Sequence, residues 1–161
     1  MDVYGIEITK EIVTQTGERL AKMGYKPNLD VGRNSDIPYE DEKFDYILAC
    51  HCCYYCDEGE TLIDNLNEYC RVLKKGGFLI ASVADLESYI FNDAEVMNDG
   101  TMIIKNDPYG NRNGYRLHGF NSESEVERYF SRYFINFSFA HSYNNFYGIE
   151  EKLFWVVCEK K

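Results

Sequence analysis

At 161 residues, 45% apolar and 16% aromatic, the chain carries enough buriable surface for one folded core and too much for a disordered polymer. Its 17 Lys and Arg stand against 27 Asp and Glu, and the formal charge of -10 repels phosphate backbones and anionic lipid surfaces, which speaks against nucleic-acid and membrane binding.

The opening stretch, MDVYGIEITKEIVTQTGERLAKMGY, has no basic segment followed by a long apolar one, and nothing near the roughly 20 apolar residues of a membrane span. Cys50, Cys52, Cys53 and Cys56 crowd together, with Cys70 and Cys158 apart, unlike the dispersed framework of a small secreted disulfide protein. A cytoplasmic setting is expected.

Val3 to Ile8 reads as a short apolar strand, and Thr9 is placed to cap a helix whose apolar side is Ile12, Val13, Thr16, Leu20 and Met23, ending at Gly24. Asn28 to Val31 is a second strand, followed by a turn with Gly32 and Pro38. Phe44 to Cys50 (FDYILAC) is a third apolar run, suited to a parallel sheet covered on both faces.

Leu62, Ile63, Leu66, Tyr69, Cys70 and Leu73 form the cleanest amphipathic stripe, with Lys74 and Lys75 favourable at its negative end and Gly76-Gly77 as a stop. Phe78 to Ala84 is the next strand, after which Asp85 can cap a short helix through Phe91. Residues 92–119 lack sustained periodicity and read as an insertion over one sheet end. Ser122 and Glu125 make a capping box before Val126, Tyr129, Phe130 and Tyr133. Ile135 to Tyr143 alternates strictly, and Lys152 to Glu159 supplies its antiparallel partner across a loop with Gly148. Alternating strands and helices define an α/β sheet, here one domain over residues 1–161.

Three segments, in order, carry a family resemblance. DVYGIEIT resembles the second strand of a class I S-adenosylmethionine-dependent methyltransferase of the small-molecule type, with its terminal acidic residue. IPYEDEKFDYILA resembles that family's entry into the fourth strand, and YCRVLKKGGFLIAS its helix-to-fifth-strand turn. The resemblance implies a Rossmann-like methyltransferase sheet, mostly parallel with a C-terminal antiparallel hairpin, S-adenosylmethionine as cofactor and methyl transfer to a small-molecule acceptor such as a metabolite or sugar.

It also implies site residues. Glu7, at the end of the second strand of that family, would hold the vicinal ribose hydroxyls, since a carboxylate offers two acceptor oxygens; its bland reading is a helix-start carboxylate. Asn34 is the candidate for the adenine edge, against an ordinary turn, because Arg33 stands where many relatives have an acidic residue. His51, at the carboxyl end of a central strand, is the candidate at the cofactor's methionine end or the reacting centre, against a structural histidine. His118, at the end of the insertion, is a further candidate base. Tyr54, Tyr55, Tyr109, Tyr115, Phe146 and Tyr147 are candidates for an acceptor pocket. His51, Cys53 and Cys56 also permit a metal reading, but thiol packing is the expectation because no second CxxC occurs.

The family's first strand and Gly-rich turn belong roughly 20 residues before the acidic strand end, and counting back from Glu7 passes Met1. The domain therefore reads as N-terminally truncated and partial. The expectations are a methyltransferase impaired by that loss or, in the alternative, a non-catalytic fragment or interaction subunit whose sheet is completed by a second copy or a partner chain. Direct closure of the second strand on the fourth is a third outcome, and a nicotinamide-dependent dehydrogenase the competing activity.

Overall fold

The computed structural model describes residues 2–161. In chain order the elements are β1 (Tyr4–Glu7), α1 (Lys10–Lys22), β2 (Asn28–Val31), β3 (Phe44–Ala49), β4 (Tyr55–Cys56), α2 (Leu62–Val72), β5 (Leu73–Ala84), β6 (Glu95–Val96), β7 (Met102–Ile103), β8 (Arg116–Leu117), α3 (Glu123–Phe130), β9 (Phe134–Phe146) and β10 (Ile149–Lys160). No helix among the described residues is long and apolar enough to cross a membrane.

Local chemistry sets the boundaries. The Thr9 hydroxyl accepts the Ile12 N–H at 3.2 Å and starts α1, and Gly24, at φ 86°, supplies the left-handed residue that turns the chain towards β2. Ser122 likewise accepts from the Glu125 N–H at 3.2 Å, while the Glu125 carboxylate reaches back one residue further than a standard box, to the Asn121 N–H at 2.9 Å. Tyr147 and Gly148, both at positive φ (56° and 83°), turn the final hairpin, a pairing that matches the twist of its long strands.

The strands fall into three sheets. β1 and β2 pair in parallel as a unit of two, with Glu7 opposite Val31. The main sheet has the order β3-β5-β10-β9, with β3 parallel to β5 and the rest antiparallel. The third sheet, β4-β8-β7-β6, is built from strands of two residues each and lies largely within the aperiodic 92–119 segment. The short helix expected from Asp85 is a 3-10 turn at Tyr89–Phe91. Asp85 instead folds back on itself, its carboxylate accepting the Glu87 N–H at 2.8 Å.

One face of the main sheet makes the core. Ala49, Leu79, Ala81, Val83, Phe154, Val156 and Cys158 pack in one continuous cluster with Leu62, Leu66, Tyr69 and Val72 of α2 and Val126 and Phe130 of α3. A side chain such as Leu66, wholly buried, contributes roughly 1.5–3 kcal/mol. At β3 the opposite face is open, which corrects the expectation of a doubly covered β3: Tyr46 and Leu48 are 66% and 68% exposed, beside Phe78 and Ile80, whereas Ser82 and Ala84 further along that face are buried. The reason is placement, because α1 lies on β1 and β2 instead.

β1 and β3 do not close on each other. The carbonyls of Val3 and Glu7 accept from β2 and the turn after it, so Tyr4 and Ile6 present their backbone groups on an edge that takes no strand. Side chains tie the two strands at their beginnings: the Tyr4 and Phe44 rings meet edge-on at 5.5 Å, and Tyr39 Oη donates to the Gly5 carbonyl at 3.1 Å. Burial, with the Asp30 carboxylate adding to it, pushes the Tyr39 phenol up to about 12 and keeps it a donor. Arg71 holds the connecting segment, donating to the carbonyls of Ile37 (2.8 Å) and Tyr39 (2.7 Å) while pairing with Glu68 (2.7 Å) and Asp41 (2.8 Å).

Candidate functional site

Glu7 ends β1, Asn34 and His51 follow the ends of β2 and β3, and the three are joined into a row. The Gly32 N–H donates to the Glu7 carbonyl at 3.0 Å, and Asn34 Nδ2 donates to the carbonyl of Cys52, next to His51, at 2.7 Å. Gly32 is required by packing: a Cβ there would lie 2.6 Å from Pro38 Cδ and 3.2 Å from Ile6 Cγ2.

Within the row, one Glu7 carboxylate oxygen accepts from Thr16 Oγ1 at 3.2 Å and the other takes no donor among the described residues. Asn34 is committed at both ends of its amide, because Oδ1 also accepts from Tyr69 Oη at 2.7 Å. Its side chain therefore builds the turn. Among the described residues, the backbone N–H groups of Asn34 and Ser35 in that turn take no protein acceptor. Arg33 Nη1 donates to both Asp57 carboxylate oxygens, at 2.8 and 2.7 Å, and so fastens the turn to the segment after β4.

His51 adopts φ 52°, a left-handed conformation held by its N–H donating to the buried Ser82 Oγ at 2.8 Å. Its Nδ1 lies 3.8 Å from Glu151 Oε1, and Asn144 Nδ2 donates to the other Glu151 oxygen at 3.1 Å. His51 and Glu151 open on a cleft that Tyr54, Tyr55, Tyr89 and Arg112 also line. Burial pushes the Tyr54 phenol up, and does the same to Tyr55 although the Arg112 charge opposes it.

Of the other candidates, Tyr115 touches the cleft only through the edge of Tyr55, at 5.7 Å, whereas Tyr109, Phe146 and Tyr147 are exposed elsewhere. His118 is buried between Phe120 and Tyr129, and burial lowers its pKa, so it is a neutral core residue. Burial raises the thiols of Cys52 (to about 11) and Cys56 (to about 12) and pushes that of Cys53 well up, leaving all three protonated. Cys53 and Cys56 pack as core thiols against the carbonyls of Ser82 and Tyr54. Sequence reasoning missed Tyr89, Arg112 and Glu151. No local signal marks them, since they join the cleft only through folding.

The fold is that of the Rossmann-like methyltransferases. The PH0226 protein of Pyrococcus horikoshii superposes with a TM-score of 0.70 at 19% identity over all of this chain and 72% of that one. A Thermotoga maritima protein described as an S-adenosylmethionine-dependent methyltransferase, possible histamine N-methyltransferase, gives 0.66 at 20% identity over 99% of this chain and 73% of that one. A family profile described as a methyltransferase domain matches residues 1–81, and the chain belongs to that family, whose cofactor is S-adenosylmethionine. An uncharacterized protein of Methanocaldococcus jannaschii, MJ1123, is 30% identical over 88 residues, 53% of this chain. The match spans 38% of that relative's length.

Proposed function

We propose that the row from Glu7 to His51 binds S-adenosylmethionine and that the chain transfers its methyl group to a small metabolite or sugar, the 92–119 segment forming the acceptor side. Glu7 carries this reading. A carboxylate at a parallel strand end, with one oxygen fixed by Thr16 and the other without a donor among the described residues, suits two vicinal ribose hydroxyls. The backbone N–H groups of Asn34 and Ser35 suit the adenine edge, and His51 faces the reacting end. Bound there, the cofactor supplies an electrophilic methyl on a sulfonium; the chain supplies alignment. Free thiols at all six cysteines favour a reducing cytoplasm as the setting.

Calorimetry with S-adenosylhomocysteine tests the reading. Glu7→Ala is expected to weaken binding at least tenfold with unchanged circular dichroism, and Glu7→Asp to weaken it less. Binding indifferent to Glu7→Ala removes the carboxylate from the site.

A second reading rests on the unpaired edges of β1 and β3 and the open face around Tyr46 and Leu48. The chain then acts as an interaction subunit, a second copy seating against this edge and face. Sedimentation equilibrium is expected to give a dimer. A monomer at all concentrations overturns it.

A further inference from the structure

We infer that the cleft between the end of β3 and the 107–112 loop is the acceptor's seat and selects a flat molecule bearing an oxyanion, with its hydroxyl or amine turned towards His51. The inference rests on the methyltransferase reading for the reaction, though not for the anion site.

The anion site is built by Arg112. Its guanidinium donates to Tyr89 Oη at 3.1 Å and forms no ion pair with a carboxylate among the described residues, in a chain where acids outnumber bases. The loop beneath it is tied by hydrogen bonds to one carboxylate. The buried Asp107 carboxylate accepts the backbone N–H groups of Tyr109 (3.2 Å), Asn111 (2.9 Å) and Arg112 (3.0 Å), and Asn113 Oδ1 accepts the Asp107 N–H at 2.8 Å. Asp107 is thereby spent on the loop: its charge is felt by the guanidinium, but its oxygens are taken by backbone N–H groups and form no ion pair with it. A planar cation without an ion-pair partner among the described residues, lining a cleft with tyrosine hydroxyls, recognises a carboxylate or phosphate through paired N–H donors.

The rest of the cleft sets the body and the reacting end. Tyr54 and Tyr55, their rings 5.2 Å apart, give an aromatic wall. Across it, Glu151 faces His51 Nδ1, which favours the tautomer with its proton on Nδ1 and leaves Nε2 as the acceptor. In the transfer the acceptor's lone pair forms the new bond to the methyl carbon, the carbon–sulfur bond breaks with its electron pair going to sulfur, and the acceptor's proton passes to His51 Nε2. The histidine later releases that proton to solvent, so no further reactant is needed.

The test is a nitrogen–proton NMR titration of the full chain with benzoate, phenyl phosphate and neutral benzamide. Benzoate or phenyl phosphate is expected to shift the Arg112 Nε–H and the Tyr89 amide, with benzamide at least tenfold weaker; whichever anion binds tighter names the oxyanion. Arg112→Gln should lose about tenfold of the anion affinity while S-adenosylhomocysteine binding is unchanged. Arg112→Lys, which keeps the charge and the loop, should fall between. Equal binding of benzoate and benzamide, anion binding untouched in both variants, or no shift with any probe overturns the inference. Anion selectivity in a chain that binds no S-adenosylhomocysteine would instead overturn the methyltransferase reading and leave the anion site standing.

Discussion

Tyr69 on α2 donates its buried hydroxyl to Asn34 Oδ1 at 2.7 Å, and Asn34 passes the contact on to the carbonyl of Cys52 at 2.7 Å. One core side chain thus fixes both the turn after β2 and the segment after β3. Tyr69→Phe strands a largely buried acceptor and is expected to cost about 1–3 kcal/mol in urea denaturation at unchanged m-value. S-adenosylhomocysteine affinity should fall in the same variant although Tyr69 itself is covered by protein. Unchanged stability would show that the Asn34 amide finds another donor.

This contact also marks where sequence reasoning stopped. The strands and helices were legible because their signals are local: Thr9 and Ser122 cap the helices expected of them, and the period of Leu62, Leu66 and Tyr69 points to one buried face. Asn34 reads from the sequence as available to a ligand because its amide can both donate and accept. Its partner Tyr69 is 35 residues away. The third sheet escaped because strands of two residues set among Asn, Asp and Gly show no period. Glu151 and His51 meet only because β10 inserts beside β5.

Arg71 is the second joint. It holds the Ile37 and Tyr39 carbonyls, and its hydrogen bond lowers the Glu68 pKa below the ordinary carboxylate value. Because the guanidinium is partly exposed, Arg71→Ala is expected to cost about 2 kcal/mol, less than a fully buried network would. Arg71→Lys should restore under half, since an ammonium cannot serve acceptors on several sides in one plane. The Glu68 contribution is present above its ordinary value of 4.5 and is lost as pH falls through the lowered value, so Arg71→Ala should flatten this part of the acid limb.

His118 gives the opposite sign to a paired histidine. Burial against Phe120 and Tyr129 lowers its pKa below the ordinary 6.5, the nearby Glu125 opposing this only in part. The unfolded chain therefore takes up this proton at higher pH than the folded one. Stability is full above 6.5 and declines as pH falls from there to the depressed folded value. His118→Phe should remove that slope in thermal melts between neutral and mildly acidic pH. A slope unchanged by the substitution would assign it to other groups.

The open face of the main sheet yields a prediction that separates folding from assembly. Leu48 and Tyr46 are mostly exposed on β3, paired in register with Ile80 and Phe78, while Ile47 and Ala49 on the other face meet the core. An exposed leucine contributes little to the isolated fold, so Leu48→Lys should change its stability by no more than about 0.5 kcal/mol. In an assembly seated on this face the same lysine would be driven against apolar surface, and the cost of covering an unpaired ammonium would fall on association alone. Sedimentation equilibrium should therefore show Leu48→Lys shifted towards the monomer, with Tyr46→Lys behaving alike. Glu58→Gln, an equal charge change of one unit at an exposed position away from β3, should leave the mass unchanged. Equal shifts in all three would trace association to net charge and not to this face.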